Sequence, residues 1–174
     1  MPIPRIISFT GWSGAGKTTL ITRLIPVLMA RGLRVSTIKH AHHGFDLDKP
    51  GKDSWAHREA GAAEVLVASG KRWALMHELR GEPEPELRDL LTKLVPVDLV
   101  LVEGFKRTTP IKIEVHRPVL GQALIFPEDP AVAAVASDVP MQLPATVCGL
   151  ALEDVDAVAD FVVSRAMPLA AWLA

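Results

Sequence analysis

Eight residues constrain this chain more than any other feature: Gly11-Trp12-Ser13-Gly14-Ala15-Gly16-Lys17-Thr18. They stand between an apolar run, Ile3 to Phe9, and a segment from Lys17 to Arg31 whose Leu20, Leu24 and Leu28 recur at helical spacing. The run reads as a strand buried on both faces, and the segment as a helix. A strand, then G-x-x-x-x-G-K-[ST], then a helix is the setting in which this pattern forms a phosphate-binding loop. The glycines let the backbone curl so that successive N–H groups face inward around a phosphate. The helix start adds unpaired N–H groups and partial positive charge. Lys17 then reaches the β- and γ-phosphates as a point charge, and Thr18 offers a hydroxyl to Mg²⁺. A merely structural turn needs neither Lys17 nor Thr18. The expected ligand is a purine nucleotide with Mg²⁺.

The rest of the chain reads as one domain over residues 1–174 with alternating strands and helices. Gly32 ends the first helix, and Leu33 to Lys39 is a second strand, giving a βαβ unit and a parallel sheet. His40 to Lys52 is polar and reads as a loop. Asp53 or Ser54 is expected to cap a short helix through Ala60, stopped by Gly61. Glu64 to Ala68 and Trp73 to Glu78 read as strands joined by a turn at Gly70-Lys71. A helix from about Glu86 to Leu94 follows, then strands at Asp98 to Glu103, Ile111 to Val115 and Val132 to Ser137. Glu153 to Arg165 closes the pattern as an amphipathic helix, with Val155, Val158, Val162 and Ala166 at helical spacing. The apolar tail from Ala166 to Ala174 is broken by Pro168 and is expected to pack on the domain or on a partner. The fold class is α/β, a three-layer P-loop NTPase fold with a mostly parallel sheet flanked by helices.

Composition removes other classes. The formal net charge of −1 gives no global attraction to nucleic acid or to a membrane surface. No stretch approaches the ~20 apolar residues that span a bilayer. The opening apolar run is too short for a secretory leader, and Cys148 is the single cysteine, so a cytoplasmic protein is expected.

Glu103 ends an apolar strand, where its carboxylate would point into the crevice at the sheet's carboxyl edge and join Thr18 at Mg²⁺. In the loop Asp46-Leu47-Asp48-Lys49-Pro50-Gly51-Lys52-Asp53-Ser54, Asp46 and Asp48 can orient a water or join the metal's outer shell. The same loop also reads as a solvated charged segment. His40, His42 and His43 lack a cysteine partner and read as polar loop residues rather than zinc ligands.

Three segments together resemble the MobB family of molybdopterin-guanine dinucleotide biosynthesis adapter proteins. They are Gly11 to Leu20, then Ile38-Lys39-His40 with Asp46-x-Asp48-x-Pro50-Gly51-Lys52-Asp53-Ser54, then Val102-Glu103-Gly104-Phe105-Lys106. The similarity runs from about Ile6 to Val115. It implies GTP binding with Mg²⁺, weak hydrolysis, a homodimer, and assistance to a separate nucleotidyltransferase that joins GMP to molybdopterin. By this resemblance Gly14, Gly16, Lys17, Thr18 and Thr19 hold phosphate and Mg²⁺. Asp46, Asp48 and Asp53 fall on the family's acidic loop, Asp53 joining Thr18 and Glu103 at the metal, and Lys106 lies near the same crevice. The Asn/Thr-Lys-x-Asp signature for guanine is absent, since Thr92-Lys93-Leu94-Val95 lacks the aspartate. Asp138, after the strand ending at Ser137, either accepts from guanine N1 and N2 or is a surface loop residue.

A second reading is a small-molecule kinase using ATP. Kinases usually close an arginine-rich lid over the γ-phosphate, and Lys106-Arg107-Thr108-Thr109-Pro110 is short with one arginine. For hydrolysis, Lys17 and Mg²⁺ supply charge, while Asp46, Asp48 or Glu103 orient water. Arg58 and Arg107 are the candidates for an arginine finger.

Overall fold

The apolar run at the start of the chain becomes β1 (Arg5–Thr10), and the glycine-rich loop delivers it into α1 (Lys17–Ala30). The computed structural model describes residues 4–41, 44–105 and 108–173. Leu33 N–H reaches back to the Leu28 carbonyl at 3.2 Å, closing the helix at Gly32 as expected. β2 (Val35–Lys39) follows. Then come α2 (Asp53–Glu59), β3 (Glu64–Ala68) and β4 (Trp73–His77). After α3 (Leu87–Leu91), the chain adds β5 (Leu99–Glu103), β6 (Lys112–His116), β7 (Val132–Ser137) and β8 (Cys148–Ala151). It ends with α4 (Val155–Arg165), β9 (Met167–Pro168) and α5 (Leu169–Leu173). No helix among the described residues is long and apolar enough to cross a membrane.

Residues 1–174 gather into two compact units, one of residues 1–40 with 87–174 and one of residues 41–86. The larger unit holds a seven-stranded sheet in the order β2-β5-β1-β6-β7-β8, all parallel, with β9 antiparallel to the start of β1. This is the mostly parallel sheet that the alternating pattern implied. Helices cover both faces, so β1 and β5 are buried on both. Ile7, Phe9, Leu99 and Leu101 pack with Leu20, Leu24 and Leu28 of α1 and Val158 and Val162 of α4. Ile6, Val100 and Val102 face the other way, onto Leu87 and Leu91 of α3, with Leu169 and Trp172 of the tail packed beside them. The apolar tail therefore packs on its own chain, one of the two expected outcomes.

β6 departs from simple two-faced packing. Its Lys112, Glu114 and His116 are buried along with Ile113 and Val115. The segment after β6 folds back over the polar row and satisfies it. Lys112 Nζ meets Asp129 at 2.6 Å, and Glu114 accepts the N–H groups of Ile125 and Phe126 at 2.8 and 3.0 Å. Burial still pushes the Glu114 carboxyl above its ordinary value, against the pull of those two N–H donors.

The smaller unit is a helix and a hairpin. β3 and β4 pair antiparallel, Leu66 opposite Leu75 and Ala68 opposite Trp73, as the turn at Gly70-Lys71 requires. The expected cap differs. Lys52 takes the N-cap position of α2 without a side-chain bond, and Asp53 is the first helical residue. Ser54 Oγ instead donates to Asp48 Oδ1 at 2.9 Å. α3 is also shorter than its expected span, because the chain tightens into turns from Thr92 to Leu94, ahead of Pro96.

Candidate functional site

The strand order reverses direction about β1, so the crevice at the carboxyl ends of β1, β5 and β6 is where a parallel α/β sheet places its ligand. The glycine-rich loop leaves β1 there. Gly11 has φ 141°, and a Cβ on it would lie 2.3 Å from the Val115 carbonyl oxygen. Only glycine lets the loop start so close to β6. Gly16 is left-handed and caps α1, so the first-turn N–H groups open toward the crevice. Ala15 is buried beneath the loop, while Ser13 and Gly14 are exposed at its rim. Lys17 Nζ bends back over the loop and donates to the carbonyls of Gly11 at 2.9 Å and Trp12 at 3.0 Å. The Trp12 indole N–H donates to Ala123 at 2.7 Å, pinning the loop to the segment after β6.

Thr18 and Glu103, read from the sequence as one metal-binding pair, do come together: the Thr18 hydroxyl donates to Glu103 Oε1 at 2.8 Å. Lys39, at the end of β2, places its ammonium 3.2 Å from the Thr18 hydroxyl and 3.4 Å from Glu103 Oε1. Two oxygens that already draw one cation are a donor set suited to a hard cation such as Mg²⁺. Thr19 follows in the first turn of α1, beside Gly16 and Arg117. Asp138 stands just past β7, its Oδ2 3.6 Å from Arg117 Nη1. It lines a cavity of about 340 Å³ with Ser137, Val139, Met141, Leu143 and Gly149.

Lys39 entered the sequence reading only within the Ile38-Lys39-His40 segment, with no role of its own, and Arg117 was not singled out. Lys39 ends β2 and Arg117 directly follows β6, both at the carboxyl edge where Glu103 ends β5. Lys106, Arg107, His42 and His43 lie outside the described residues, and His40 tilts against the Phe105 ring. Among the described residues, no group of three or more His, Cys, Asp or Glu side chains is placed to hold a metal.

Asp46, Asp48 and Asp53 belong to the smaller unit. Arg58 holds Asp46 through both oxygens, at 2.6 and 2.8 Å, and its Nε lies 3.3 Å from Glu78. Asp48 accepts from the Lys49 N–H and from Ser54. Arg58, a candidate arginine finger, is thus engaged in fastening its own loop. The Arg58 bonds, with the Asp48 N–H, lower the Asp46 carboxyl to about 2 from its ordinary 3.8. A depressed carboxyl stabilises the fold above its unfolded value and loses that contribution as protons arrive. Acid sensitivity from this pair is therefore expected between about pH 4 and about pH 2. Asp46→Asn should lose that pH dependence in melts recorded across the window; an unchanged acid profile would overturn the assignment.

Residues 6–138 match the family described as molybdopterin guanine dinucleotide synthesis protein B. A relative from Escherichia coli K12, described as a molybdopterin-guanine dinucleotide biosynthesis adapter protein, is 49% identical over 163 residues, 91% of each chain. A relative of the same description from Haemophilus influenzae is 44% identical over 161 residues, 90% of this chain and 86% of its own. A crystal structure described as molybdopterin-guanine biosynthesis protein B (mobB) shares the fold with a TM-score of 0.69 at 29% identity, covering 91% of this chain and 98% of its own. The Bacillus subtilis MobB structure has a TM-score of 0.72 at 22% identity, over 93% of this chain and 98% of its own, and shows the same fold.

Proposed function

Because the chain belongs to the molybdopterin guanine dinucleotide synthesis protein B family, we propose that it is a GTP-binding adapter for molybdenum cofactor maturation in the cytoplasm. It holds GTP and Mg²⁺, hydrolyses GTP slowly, and assists a nucleotidyltransferase that attaches GMP to molybdopterin. The observation that carries the nucleotide half of this reading is the Thr18–Glu103 pair at the head of the Lys17 helix. The adapter half is supported by what the two close relatives are described as.

Each group has a physical task. The loop N–H groups and Lys17 bind the phosphates, and Thr18 and Glu103 hold Mg²⁺. Mg²⁺ supplies charge neutralisation between the β- and γ-phosphates. The cavity beside Asp138 is of a size for a purine ring, and a carboxylate at its rim suits the paired N1 and N2 donors of guanine. Without an arginine donated by a partner, turnover on the order of 0.01 per second or slower follows, as in unassisted GTPases of this loop type.

A homodimer is part of the same proposal. Leu66, Trp73 and Leu75 share one face of the hairpin and are 60, 63 and 44% exposed in the single chain. A second copy would cover an apolar face of this kind; a monomeric mass by light scattering would overturn it. The nucleotide reading is tested by calorimetric titration with non-hydrolysable GTP and ATP analogues, each with Mg²⁺. A preference for the GTP analogue of at least about tenfold is expected, since unpaired polar groups penalise the wrong base. Equal or tighter binding of the ATP analogue would overturn the guanine assignment and favour phosphoryl transfer from ATP.

A further inference from the structure

Arg117 follows β6 and packs over the glycine-rich loop, in a setting that surface salt bridging does not explain. A Cβ on Gly16 would lie 3.6 Å from Arg117 Nε and 3.8 Å from Nη2. These two nitrogens form one edge of the guanidinium, which presents two parallel N–H groups matched to an oxyanion. The Nε on that edge is buried with no hydrogen-bond partner, a condition that folded proteins rarely leave standing. The remaining nitrogen, Nη1, points elsewhere and lies 3.6 Å from Asp138 Oδ2. The guanidinium is therefore split between two neighbours. One edge lies on the phosphate-binding turn with an open donor, and one corner lies on the carboxylate at the rim of the cavity.

The small cleft that this edge faces is lined by Gly16, Thr19, Arg23 and Glu153. Glu153 is not the missing partner, since it is already taken by Arg23 at 2.7 Å. The first-turn N–H groups of α1 have no partner inside the helix, and Gly16 and Thr19 of that turn line the same cleft. An anion seated there meets helix donors from below and the Arg117 edge from the flank.

We propose that Arg117 ties phosphate recognition to base recognition. Its Nε/Nη2 edge takes the α/β-phosphate of a purine nucleotide, and its Nη1 holds the Asp138 carboxylate in place for the base. The proposal rests on the nucleotide-binding reading above and adds to it a positioning residue for specificity. A purely structural Arg117 would affect stability and leave the choice of base alone. The linked arrangement makes the choice of base depend on Arg117.

The test is calorimetric titration of GDP and ADP into the wild type, Arg117→Gln, Arg117→Lys, Asp138→Ala and the double variant Arg117→Gln/Asp138→Ala. Lys17→Ala serves as control, and thermal melts check folding. Arg117→Gln should lower GDP affinity on the order of tenfold to a hundredfold. It should also shrink the GDP-to-ADP preference toward that of Asp138→Ala. The double variant should be no worse in preference than Asp138→Ala alone. Arg117→Lys keeps the charge but not the two-pronged edge, and should recover part of the affinity without the preference. Should Arg117→Gln not fold, Arg117→Lys carries the test through the same ratio. An unchanged GDP-to-ADP ratio in the folded Arg117 variants, with Lys17→Ala defective, would overturn this proposal and leave the nucleotide site intact. Unchanged GDP binding in Lys17→Ala as well would overturn the nucleotide reading itself.

Discussion

Lys17→Ala is expected to weaken binding of a non-hydrolysable GTP analogue with Mg²⁺ by at least about a hundredfold, because truncating one side of a desolvated charge pair costs about 2–5 kcal/mol. The structure makes this loss specific to ligand. Lys17 lies across the loop on the Gly11 and Trp12 carbonyls, so its charge is set in position before any phosphate arrives, and little side-chain entropy remains to be lost on binding. Both acceptors are neutral main-chain carbonyls, and the exposed Trp12 carbonyl returns to water when the side chain is removed. The melting temperature should therefore move by only a few degrees, within about 1 kcal/mol. Titration and melting on the same sample check both halves. Unchanged affinity would end the phosphate-binding assignment, whereas a collapsed fold would show that Lys17 is structural.

Gly11→Ala should do the opposite, harming the fold first. The added methyl carbon would lie 2.3 Å from the Val115 carbonyl oxygen, and φ 141° is foreign to a side-chain-bearing residue. That oxygen belongs to the main chain of a central strand and has no easy retreat. Overpacking and backbone strain together are expected to remove about 2–5 kcal/mol, a fall in melting temperature of roughly 5–15 °C for a chain of this size. Gly14→Ala is the matched control. Gly14 has φ 79°, but nothing lies within 4 Å of the Cβ position, so only the left-handed backbone cost of about 1–2 kcal/mol applies. Equal melting temperatures for the two variants would refute the close approach to β6.

What the sequence revealed, and what it hid, follows from how far each feature reaches along the chain. β1, the loop and α1 were legible because strand, glycines and helical leucines are contiguous and each supports the next. Glu103 was legible because an apolar run ending in an acid has meaning in a parallel sheet. β8 carried no such pattern: it is four residues long, includes Gly149 and is largely exposed, so it forms by pairing with β7 rather than by its own preference. Buried Lys112, Glu114 and His116 alternate as a solvent face would. Their burial depends on Asp129, Ile125 and Phe126, which no local window contains. The roles of Arg117 and Lys39 were hidden for the same reason. A single basic residue at a strand end acquires a role only once the sheet gathers its carboxyl ends.

That gathering also has a consequence for synthesis. β1 leaves the ribosome well before its two full-length neighbours, β5 and β6, which are encoded far downstream, with Arg5 pairing to Leu99 and Ser8 to Lys112. The nascent chain must therefore carry Ile6, Ile7 and Phe9 unpaired until roughly ninety further residues have been added, which at ribosomal speed lasts about 5–20 seconds. Helix α1 can form in that interval, but its apolar face has no sheet to rest on. Loop and helix thus exist in the growing polypeptide before the crevice does, and competence to bind a ligand arrives only when β6 closes against β1. Apolar strands held unpaired for that long are the kind of surface that chaperones cover during elongation.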